Sequence, residues 1–156
     1  MKRIFGVIMA ILFLGAATGC APKKDKILDI DMFFNQALEQ VPYDDEMIEL
    51  SASVVGDFYR LTFEGLEEYR IYTSGTMATA NELAVFKLKD EKALTSAEEA
   101  VRARLEDQKS NYQNYNPAQM HRIENALLYS DSNYLLFSIS NDKNDEIRKL
   151  FDDHLS

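Results

Sequence analysis

Between residues 29 and 155 the spacing of apolar positions changes several times, and each change marks an element. Phe33, Phe34, Ala37, Leu38 and Val41 share one face of a helix that Asp29 or Asp31 caps and Pro42 stops. Val54, Val55, Phe58 and Tyr59 mark a short second helix from about Ser51 to Tyr59, weakened by Gly56. Tyr69, Ile71 and Tyr72 place a strand over Glu68–Ser74. After the loop Ser74-Gly75-Thr76-Met77-Ala78-Thr79, a second strand spans Glu82–Lys89. Its segment Leu83-Ala84-Val85-Phe86 is apolar on both faces, as a central strand requires.

The longest helix ends near Gln113 and has two candidate starts: Asp90, or Ser96 with Glu99 at capping-box spacing. Ala97, Val101, Arg104, Leu105, Gln108 and Tyr112 mark its inner side, and Asn116-Pro117 breaks it. Glu124–Asp131 and Asn133–Ser140 form a hairpin around Asp131-Ser132-Asn133. Asn144–His154 is amphipathic, with Ile147, Leu150 and Phe151 inward. The order α-α-β-β-α-β-β-α, with strands in hairpin pairs, predicts an α+β fold: a single antiparallel four-stranded sheet with helices on one face.

The first 28 residues follow another pattern. Lys2 and Arg3 precede an uncharged, mostly apolar run of 14 residues from Ile4 to Ala17, and Thr18-Gly19-Cys20 follow. A charged start, an apolar middle and small residues before a cut are the marks of an export signal. Fourteen helical residues rise roughly 21 Å at about 1.5 Å each, short of a hydrocarbon core of about 30 Å. Gly15, Gly19 and Pro22 further weaken a membrane-spanning helix. Ala17-Thr18-Gly19-Cys20 resembles the lipobox of bacterial lipoproteins, with Ala17 where Leu is commonest. That resemblance implies a signal over residues 1–19 and lipid on Cys20; Pro22 and the lysine-rich stretch to Leu28 read as a tether over 20–28, and the remaining length suits one domain over 29–156. Two acyl chains on one Cys anchor a protein stably where a single chain is marginal.

Cys20 is the only cysteine, so no intramolecular disulfide or CxxC motif exists. The chain carries a formal charge of −9. With Lys2 and Arg3 removed, 15 basic and 26 acidic side chains remain, a balance of −11. That argues against nucleic acid, whose phosphates need a basic patch. Lys23, Lys24 and Lys26 follow Cys20 where a bilayer surface would lie; they are either a solvated linker or a local contact to anionic lipid.

Several stretches together resemble the uncharacterised bacterial lipoproteins of domain-of-unknown-function family 4358. They are Ser74-Gly75, Glu82-Leu83-Ala84-Val85-Phe86-Lys87, Arg104-Leu105-Glu106-Asp107-Gln108-Lys109, Tyr115, Pro117, Glu124-Asn125-Ala126 and Asn133-Tyr134. Their order and spacing carry the resemblance, over about residues 27–155. It implies lipid anchoring at the outer face of a single cell membrane, as in clostridia-like bacteria, and supplies no catalytic residue.

No catalytic set is visible. His121 lies in a polar turn and His154 at a helix C-terminus, where a cation meets the helix dipole favourably. Asp44-Asp45-Glu46, Glu67-Glu68 and Asp152-Asp153 match no calcium-loop spacing and read as solvated charge. No metal or other cofactor is implied. Ser74-Gly75-Thr76 lacks the ending of a phosphate-binding loop. The long helix returns toward that loop, so Ser74, Gly75 and Thr76 are expected near Tyr112, Tyr115 and Asn116, at a sheet end able to face a polar or sugar-like ligand. The expected function is a non-enzymatic binding or accessory module of the cell envelope, held to the membrane through lipid on Cys20, with an envelope protein or a small polar ligand as partner. A structural or assembly component and a small hydrolase are the alternatives.

Overall fold

The computed structural model describes residues 26–60 and 64–156. The expected export signal, Cys20 and the first part of the expected tether lie outside the described residues.

Helix α1, Ile30–Gln40, starts where the Asp29 carboxylate accepts a hydrogen bond from the Met32 amide at 3.0 Å. Strand β1, Met47–Glu49, and helix α2, Ala52–Tyr59, follow. Strands β2, Leu66–Ser74, and β3, Glu82–Leu88, form the first hairpin. Helix α3, Glu91–Tyr115, begins at Asp90, whose carboxylate accepts from the Ala93 amide at 2.9 Å; the earlier of the two predicted starts is the real one. A 3-10 turn at Pro117–Gln119 leads into helix α4, Met120–Glu124. Strands β4, Leu127–Asp131, and β5, Tyr134–Ile139, make the second hairpin, and helix α5 spans Asn144–His154.

The sheet is antiparallel and five-stranded, in the order β1-β2-β3-β5-β4. The expected four strands are joined by β1, a three-residue edge strand too short to show a period of two. Helices cover both faces, not one. Leu83, Val85, Tyr134 and Leu136 pack under α1 and α5, with Phe33, Phe34, Ile147 and Phe151. Ala84, Phe86, Leu135 and Phe137 pack under α2 and α3, with Val55, Tyr59, Ala97 and Val101. Apolar residues on both sides of β3 and β5 demand this arrangement, since each buried side chain of that size is worth about 1.5–3 kcal/mol out of water. The strand expected from Glu124 starts later, at Leu127, because α4 takes Met120–Glu124 and buries Ile123.

The two ends of the sheet differ. One holds the β2–β3 loop, the start of β1 and the last turn of α3. The other holds the Asp131–Asn133 turn, the first turn of α3 and Gly65. Gly65 sits at φ +86°, and a Cβ there would lie 2.7 Å from the Ala93 Cβ, so only glycine lets the approach to β2 pass this close to α3. The chain joins the domain at this second end. Lys26 Nζ donates to Asp131 Oδ2 at 2.6 Å, and Leu28 forms a β-bridge with Leu155. Among the described residues no helix is long and apolar enough to cross a membrane.

Candidate functional site

Two sets of hydrogen bonds hold the β2–β3 loop. On one side the hydroxyls of Ser74, Thr76 and Thr79 all donate to Asp45 Oδ2, at 2.5, 2.7 and 3.0 Å. These bonds, Ser74 foremost and then Thr76, hold the Asp45 carboxyl below its ordinary value. The Gly75 amide donates to the Glu46 carbonyl at 2.8 Å. A Cβ on Gly75 would meet that oxygen and Ile48 Cγ2 at 3.1 Å, so β1 lies against the loop at this point.

The second set comes from the end of α3. The Tyr112 hydroxyl lies 2.9 Å from the Met77 carbonyl and 2.5 Å from that of Thr79, and its one hydrogen serves one of them at a time. Asn116 Nδ2 donates to the Ala78 carbonyl at 3.0 Å, and the Ala80 amide donates to Gln119 Oε1 at 3.1 Å.

Ser74, Gly75 and Thr76 therefore lie across the loop from Tyr112 and Asn116, and their polar groups are spent on fixing the loop. Tyr115 is different. It is 71% exposed, with its ring 6.2 Å from that of Tyr112 in an edge-on arrangement.

Beside this loop is a cleft of about 270 Å³. Phe58 of α2, Thr73 and Met77 form one wall; Arg104, Gln108, Asn111, Tyr112 and Tyr115 of α3 form the other. Met77 stands at φ 58° and is 62% exposed at the rim. Beneath the floor is a buried ionic cluster. Glu82 is 0% exposed, and Arg104 reaches it with Nε at 3.3 Å and Nη2 at 2.8 Å. Gln108 Nε2 donates to the same carboxylate at 2.8 Å, and the Tyr59 hydroxyl donates to Glu82 Oε1. The Arg104 guanidinium also lies 4.4 Å from the Phe58 ring centroid. Burial, and then Glu82, push the Tyr59 phenol well above its ordinary value. Burial works against the Arg104 charge, but Glu82 outweighs it and the pKa is raised.

Arg104 and Gln108 carry a helical inner-face spacing, so their burial was legible. Glu82, which receives them, opens an otherwise apolar strand and carried no signal of a buried carboxylate. Gln119 sits in the 3-10 turn after Pro117, a stretch whose apolar spacing gives no sign of a buried amide.

The acidic runs are not simply solvated. Asp44 pairs with Arg122 and accepts from Asn141 Nδ2 at 2.7 Å, and Asp45 anchors the loop. Glu67 pairs with Lys87 at 3.2 Å. Asp152 and Asp153 each face a cation one turn earlier, Arg148 and Lys149, which offsets their unfavourable place at a helix C-terminus. His121 lies in α4 and is exposed, 3.4 Å from Asp142; the imidazole Nε2 of His154 is buried without a hydrogen bond among the described residues. No group of three or more His, Cys, Asp or Glu able to hold a metal occurs among the described residues.

Residues 40–140 match the family described as Domain of unknown function (DUF4358), and the chain belongs to that family. No curated protein and no solved structure matches it.

Proposed function

We propose that this family member is an exported lipoprotein, anchored through lipid on Cys20 to the outer face of the cell membrane, and that it is a non-enzymatic module binding a small polar ligand in the α2–α3 cleft. The observation that supports this reading best is the separation of two features along the sheet. The chain joins the domain beside Asp131, at one end, through Lys26. The cleft opens beside Met77 and Tyr115, at the other. Strand β3 spans seven residues between them, about 23 Å at ~3.3 Å per residue. A tether at one end and a recess at the other suit a domain that hangs from a bilayer and meets its ligand on the far side. The loop clamps favour it too, because a fixed loop presents a preformed recess and lowers the entropy lost on binding.

Palmitate labelling of the full chain in a bacterial host tests the anchor. Cys20→Ala should abolish the label and release the protein from membranes. A label that persists on Cys20→Ala removes the anchor from the reading.

A further inference from the structure

We infer that the ligand of the cleft is a neutral sugar ring. This rests on the proposed reading of the cleft as a binding site and names the chemistry that fits it. Among the described residues Arg104 is the only charged side chain lining the cleft, and Glu82 beneath it balances that charge. Two of its three nitrogens, Nε and Nη2, are already committed to that carboxylate. A phosphate or carboxylate would therefore find no unbalanced cation, and a cationic ligand would meet Arg104 with no carboxylate exposed to receive it.

The remaining polar groups are a mixture of donors and acceptors. Among the described residues neither Arg104 Nη1 nor Gln108 Oε1 has a hydrogen-bond partner, while Gln108 Nε2 goes to Glu82. Asn111 adds an exposed amide at the rim. Hydroxyls, which both donate and accept, match such a set. Burial of the Arg104 and Gln108 stems fixes these groups in place.

The apolar side of the fit comes from Tyr115 and Met77, both exposed at the rim, with Tyr112 set at 68° to the Tyr115 ring. Two tyrosines at an angle give a flat wall and an edge, on which the C–H face of a pyranose can lie. The volume of about 270 Å³ falls just under the ~300 Å³ at which drug-sized sites begin, room for one ring and its substituents. The sugar can belong to a wall polymer or be free in solution.

The test uses the lipidated full chain in detergent micelles, with carbon-13 on the methionine methyls. Met77 reports the cleft, while Met32 and Met47, which do not line it, serve as controls. Di-N-acetylchitobiose should move the Met77 methyl in a saturable way, with little dependence on salt, and leave Met32 and Met47 in place. Tyr115→Ala, an exposed change that spares the fold, should weaken binding roughly tenfold. Retention of the chain on insoluble wall glycan assigns the ring to a polymer; a response to the free disaccharide alone assigns it to solution. A Met77 response to acetate, phosphate or a short peptide, with none to the disaccharide, overturns the sugar while leaving the cleft a binding site. Silence to every probe overturns both, and the palmitate experiment still decides the anchor separately.

Discussion

Arg104 Nη2 lies 2.8 Å from Glu82 Oε2, with the two side chains 10% and 0% exposed. The pair ties α3 to the start of β3, with Arg104 lining the cleft and Glu82 beneath it. Removing one partner strands the other. Arg104→Met is expected to lower stability by about 3–5 kcal/mol, the cost of leaving a buried charge uncompensated. Replacing the whole set, as Tyr59→Phe, Glu82→Leu, Arg104→Met and Gln108→Leu together, should recover most of that loss. Urea unfolding of the three chains measures both. A single variant as stable as the parent would mean that the pair is not buried as described.

Asp45 gives the loop a dependence on pH. Its folded carboxyl titrates below the ordinary 3.8 because three hydroxyls donate to it. A depressed acid contributes its full share above the unfolded value and loses it as pH falls through the folded one. Loop protection should therefore hold at neutral pH and fade on acidification below 3.8. Asp45→Asn should loosen residues 75–80 at neutral pH and remove that acid step. Amide hydrogen exchange across the loop reads both effects; unchanged protection in Asp45→Asn would contradict the clamp.

Gly65→Ala combines a left-handed backbone with a 2.7 Å contact to the Ala93 Cβ. The backbone term alone costs roughly 1–2 kcal/mol, and the contact adds to it. Adding Ala93→Gly should relieve the contact and leave the backbone term, so thermal unfolding should show partial rescue. Full rescue would place the whole cost in the contact.

Ser138 is 0% exposed, faces the α1–α5 side of β5, and its hydroxyl makes no hydrogen bond among the described residues. Ser138→Ala removes a desolvated group whose burial costs about 1–3 kcal/mol, so the variant should be more stable by about 1 kcal/mol. Denaturant midpoints check the sign. A less stable variant would show that the hydroxyl is satisfied in solution.

Helices α1, α2, α3 and α5 and both hairpins are legible because their apolar spacing is strong, whereas the five-residue α4 is too short to show a period. Phe33 to Val41, Ala97 to Tyr112, and Ile147 to Phe151 each mark one face without ambiguity. The second helical layer has its own mark in the sequence. Leu83-Ala84-Val85-Phe86 is apolar on both sides, and a strand of that kind needs helices on both faces. Strand β1 carries three residues inside an acidic stretch, and it exists because Gly75 lets its backbone come close. At the candidate site, helix direction placed Tyr112 and Asn116 beside the loop. Periodicity could not reveal that Asp45, 29 residues before Ser74 in sequence, would gather three hydroxyls. Such long-range polar pairing depends on sheet register, which local spacing does not encode.

The arrangement of tether and cleft at opposite ends has one direct measurement. Cysteines at Ser132 and at Asn114, both exposed, mark the two ends on the lipidated chain in vesicles. Energy transfer from a fluorophore at each position to a dye in the bilayer should be strong at Ser132→Cys and weak at Asn114→Cys. Equal transfer, or stronger transfer from Asn114→Cys, would contradict a cleft that opens away from the membrane.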